Sequence, residues 1–146
     1  MTVQPNSDDE KDDLADGSSS ASSVAAQGQV LADAIARKVS AIEEVLATGH
    51  EGELIASSVC EAQYVPLGPQ RLHTVELVYK LVCMRKESVY DILKESKVFA
   101  RILELVKVYA WNNFLQLKVI NLFEEILNNC DVADFKKAVL VSSGVG

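Results

Sequence analysis

The 146 residues include 49% hydrophobic residues and carry a formal charge of −7, which suits one domain with one modest core. Asp8, Asp9, Glu10, Asp12, Asp13 and Asp16 against Lys11 place −5 of that charge before residue 17, so the rest of the chain is close to neutral. Without a stripe of Lys and Arg to hold phosphates, nucleic acid is not expected as a partner. No apolar run approaches the roughly 18 residues that cross a bilayer, so membrane insertion is not expected either.

Residues 1–28 form an acidic patch followed by a Ser-rich patch, with too little apolar surface to offset the entropy of ordering a backbone. The predicted organisation is a disordered tail over 1–28 and a helical domain over 29–146. The acidic start lacks the basic and apolar regions of a secretory signal. Cys60, Cys83 and Cys130 form no C-x-x-C pair and are odd in number, which reads as free buried thiols in the reducing cytoplasm or nucleus.

From Val30 the apolar residues recur at helical spacing, with Leu31, Ile35, Val39, Ile42, Val45 and Leu46 on one stripe. Gly49 is the expected stop, and Leu54 to Cys60 is expected to add a further turn or two. Gly68-Pro69 reads as a helix start, because proline in the first turn surrenders an N–H that has no partner there. Leu72, Val75, Val78, Tyr79 and Val82 form the predicted buried stripe of that helix, with Leu77 and Leu81 beside it. Ser88 and Asp91 resemble a capping box for a short helix. Ser96 is placed to cap the next one, whose Val98, Ile102, Leu105, Val106 and Tyr109 face inward.

Asn113 to Asn129 is apolar around most of its circumference, which predicts a helix packed on several sides. Asp131 to Val141 completes the set. Connections this short between amphipathic helices imply antiparallel hairpins, and the predicted fold class is all-α, with the hairpins stacked as a HEAT or armadillo-like α-solenoid. No repeat of about 40 residues stands out, so a compact bundle is the alternative.

Chemistry-bearing constellations are missing from this pattern. His50 and His73 have no second ligand at helical spacing, so no metal or cofactor site is expected. Glu43-Glu44 and Glu124-Glu125 are adjacent pairs, pointing about 100° apart on a helix, and read as solvated faces. No glycine pattern cradles a phosphate. The segment Trp111-Asn112-Asn113-Phe114, with Gln116 just beyond it, stands out at a junction between two strong helices. In one reading Trp111 and Phe114 fill the corner while Asn113 caps the following helix. In the other, Asn112 points outward to a partner and Trp111 anchors it.

Two motifs, Pro66-Leu67-Gly68 with Arg71-Leu72-His73-Thr74-Val75-Glu76-Leu77, and Val108-Tyr109-Ala110-Trp111-Asn112-Asn113-Phe114-Leu115, occur in this order. Together they resemble the SAPS-domain family of regulatory subunits of protein phosphatase 6, over about Pro66 to Leu127, the middle of that domain. Gln116 stands where the family usually has His, and Val119-Ile120 where it has Val-Glu. The resemblance implies a non-catalytic helical-repeat scaffold that binds the catalytic subunit of a protein phosphatase 6-type serine/threonine phosphatase, among other proteins, and directs it to substrates. The alternatives are an unrelated armadillo-like adaptor, a structural homo-oligomer or an enzyme of unfamiliar type.

Overall fold

Ala21, Ala25, Ala26 and Gln27 are among the stronger helix formers, and the first helix includes them. In the computed structural model residues 18–47, 55–56 and 63–142 are described, with side chains over 23–47 and 65–142. Helix α1 spans Ser18–Ala47, so helix replaces the tail expected over residues 18–28. Between Ser23 and Val30 only Gly28 is even partly covered, so packing does not account for this part of the helix. Residues 1–17 and Gly49 lie outside the described residues, as do His50 and Cys60.

Ala32, Ile35, Ile42 and Leu46 turn the C-terminal part of α1 toward the core, where it packs against the three helices that follow. Of the further turn or two expected over Leu54 to Cys60, only Ile55 and Ala56 lie among the described residues, and these two are strand. Ile55–Ala56 (β1) pairs antiparallel with Gln63–Tyr64 (β2), Ile55 opposite Tyr64. Backbone pairing prevails where β-branched and aromatic residues favour extended chain.

Helix α2 (Pro69–Cys83) starts where Gly68-Pro69 predicts. Gly68 takes φ 78°, a conformation that costs an L side chain energy but not glycine. Val75, Val78, Leu81 and Val82 are buried, Leu72 and Tyr79 half-buried, and Leu77 exposed. Cys83, expected as a buried thiol, is exposed, because one residue past Val82 the helix has rotated about 100° toward solvent. Cys130 is buried as expected.

Helix α3 (Glu87–Glu95) begins one residue before the predicted capping serine, so Ser88 is already helical and no capping box forms. Extended Lys86 is the cap, and its carbonyl accepts from Val89 and Tyr90 N–H. Glu87 then lies in the first turn, where a carboxylate meets the positive end of the helix dipole. Helix α4 (Val98–Val108) has Lys97 as its N-cap residue, and the Lys97 side chain makes no capping hydrogen bond. Ser96, expected as that cap, instead ends α3, where its Oγ donates to the Leu93 carbonyl at 2.8 Å and accepts only a long 3.4 Å bond from Val98 N–H, while Glu43 Oε1 of α1 accepts from Lys97 N–H at 2.7 Å. Glu43 is therefore a partnered group and not part of a solvated pair.

Helices α5 (Asn113–Asn129) and α6 (Ala133–Ser142) complete, among the described residues, a helical arrangement of six helices with one short strand pair. Helix α5 packs on α2 and α4, and α6 packs on α3 and α4. Phe135 fixes α6: its ring stacks on Tyr90 of α3 at 4.5 Å and meets Phe99 of α4 edge-on at 5.7 Å. Tyr90 donates to the Val82 carbonyl at 3.0 Å. Burial first, then the hydrogen-bonded Cys130 thiol, pushes its phenol up to about 12. Among the described residues no buried side-chain polar atom lacks a partner.

Truncating Phe135 removes ring contacts to two helices at once. Phe135→Ala is expected to cost about 3–5 kcal/mol in urea denaturation, whereas Leu77→Ala on the exposed side of α2 is expected to stay within about 0.5 kcal/mol.

Candidate functional site

The turn from α4 into α5 is held by side chains of the highlighted segment. Asn112 adopts an extended backbone, φ −86° and ψ 96°, and its Oδ1 accepts from Leu115 N–H at 3.1 Å. Asn112 is thus the cap, and Asn113 is the first helical residue and exposed. Both readings of this pair shift by one position. Either asparagine suits a cap chemically, and only the point where the backbone leaves the extended region distinguishes them.

Gln116 is half-buried, and its Nε2 reaches the Val106 and Tyr109 carbonyls, each at 3.4 Å. It thereby adds to the bonding of carbonyls at the end of α4, of which that of Tyr109 also accepts from Asn112 N–H at 2.9 Å. Buried Tyr109 accepts a hydrogen bond from Arg71 Nη1 at 2.8 Å, and the guanidinium carbon lies 5.8 Å from the ring centroid. The two sequence motifs, far apart in the chain, meet at this contact. Arg71 was not singled out as a site residue by sequence reasoning.

Trp111 and Phe114 do not fill the corner. Trp111 is 53% exposed and lies edge-on to Tyr109 at 6.0 Å, and Phe114 is 74% exposed. They open a surface that continues along α5. Leu115, Val119, Leu122 and Ile126 face the core, and on the opposite side Leu117, Ile120 and Leu127 are each about half exposed. The helix expected to be packed on several sides therefore has an outward apolar face among the described residues. Its apolar circumference was visible in the sequence, but which part would be covered was not.

Salt links run between α2 with its following turn and α5. Glu76 accepts from Lys118 Nζ at 2.9 Å, lies 3.3 Å from Lys80 Nζ and has His73 Nδ1 at 3.6 Å. Hydrogen bonds from Lys118 first, then Lys80, hold its carboxyl at about 2, below its ordinary 4.5. At the far end, Glu125 pairs with Arg85 at 3.3 Å and accepts from Asn129 Nδ2 at 2.7 Å. Glu125 is thus engaged and not simply solvated. Lys136 of α6 donates to the Leu127 carbonyl at 2.8 Å in the last turn of α5.

The concavities differ in the chemistry of their linings. A cleft of about 330 Å³ at the start of α2 is lined by residues including Val45, Leu67, Gly68 and Arg71, and among the described residues Arg71 is its one titratable side chain. Another, of about 260 Å³, brings Glu87, Asp91, Lys94 and Asp134 to the junction of α3 and α6. Among the described residues, no group of three or more His, Cys, Asp and Glu is placed to hold a metal ion, and no helix is long and apolar enough to cross a membrane. Comparison with protein-family models, curated proteins and solved structures finds no match.

Two outcomes test this geometry. Asn112→Ala is expected to lose about 0.5–2 kcal/mol of stability, as caps do, while Asn113→Ala is expected to leave the denaturation midpoint nearly unchanged. The stability that Glu76 contributes by being ionised is present above pH 4.5 and is lost as pH falls toward about 2. Melting curves of the native chain and Glu76→Gln are therefore expected to converge across that range. A constant gap would show that the lysines do not stabilise the carboxylate.

Proposed function

We propose that this chain is a non-catalytic regulatory or scaffold subunit that binds a protein phosphatase 6-type serine/threonine phosphatase catalytic subunit and directs it to substrates. The observation that carries a binding role is the apolar surface running from Trp111 through Phe114, Leu117 and Ile120, exposed on a helix whose opposite face is in the core. Contiguous exposed apolar surface rimmed by polar residues is characteristic of protein-binding sites, and Trp is enriched among residues that dominate binding energy. The resemblance of the two motifs supplies the class of partner. The Arg71–Tyr109 hydrogen bond supports reading them as one unit.

In this proposal the helices are hairpins stacked in the HEAT or armadillo manner, for which the short connections between α2 and α6 are the support. The chain acts in the cytoplasm or nucleus. Gln116 engages the end of α4 internally, so the partner is read chiefly by apolar contact at Trp111 and Phe114.

The test is capture of a purified protein phosphatase 6-type catalytic subunit by this chain. Binding is expected, with Trp111→Ala and Phe114→Ser together weakening it at least about tenfold, roughly 1.4 kcal/mol. Because Trp111 is largely exposed, Trp111→Ala alone is expected to cost less than about 1 kcal/mol of folding stability. No binding by the native chain overturns the phosphatase reading. Capture of other proteins through the same face would favour the unrelated armadillo-like adaptor.

A further inference from the structure

We draw no further inference here: the strongest candidate, the outward apolar face of α5 carrying Leu117, Ile120 and Leu127, belongs to the site already described, and nothing in the structure shows what covers it.

Discussion

Val75, Val78 and Val82 of α2 expose no surface to water, and the other helices either cover α2 or pack on a helix that does. Helices α1, α3 and α5 contact α2 directly, α4 lies against α1 and α5, and α6 rests on α3 and α4. Valine is a modest helix former, at a cost of up to about 0.7 kcal/mol per residue against alanine. Full burial of an aliphatic side chain contributes about 1.5–3 kcal/mol. Burial therefore prevails over local preference in α2.

Polar interactions have a different role. The Glu76–Lys118 and Arg85–Glu125 links lie near the surface, where ion pairs contribute little to stability. They join two points along α2 and its following turn to two points along α5, and so constrain rotation of α5 about its own axis. That rotation decides whether Leu115 or Leu117 faces the core. Asn121, Glu124 and Asn128 are exposed with Leu117, and the cost of burying them favours the same rotation.

The helix starts and buried stripes that could be read from the sequence were those set by local chemistry. Gly68-Pro69 marked α2 because it constrains the backbone directly, and Ile35, Ile42, Ile102 and Leu105 lay on their stripes because helical spacing is strict. The misread positions depend either on residues far away in the chain or on the exact residue at which the backbone turns helical. The first turn of α4 is partly satisfied by Glu43 of α1, and Ser88 forms no capping box because the chain is already helical at Glu87. At the candidate site, Trp111 and Phe114 carried a visible signal in their aromatic character. Their exposure depends on which side of α5 is covered by α2 and α4, which periodicity does not encode in so apolar a helix.

The Glu43 carboxylate on Lys97 N–H spans 54 residues of chain, and this has a kinetic meaning. The entropy of closing so long a loop must be spent before the contact stabilises anything, so the first turn of α4 gains this cap only after α1 has docked. Amide exchange in that turn is consequently linked to opening of α1, as adjoining segments of one cooperative unit are. Through that single oxygen, a disturbance that lifts the C-terminal part of α1 also loosens the start of the helix leading into the Trp111 corner.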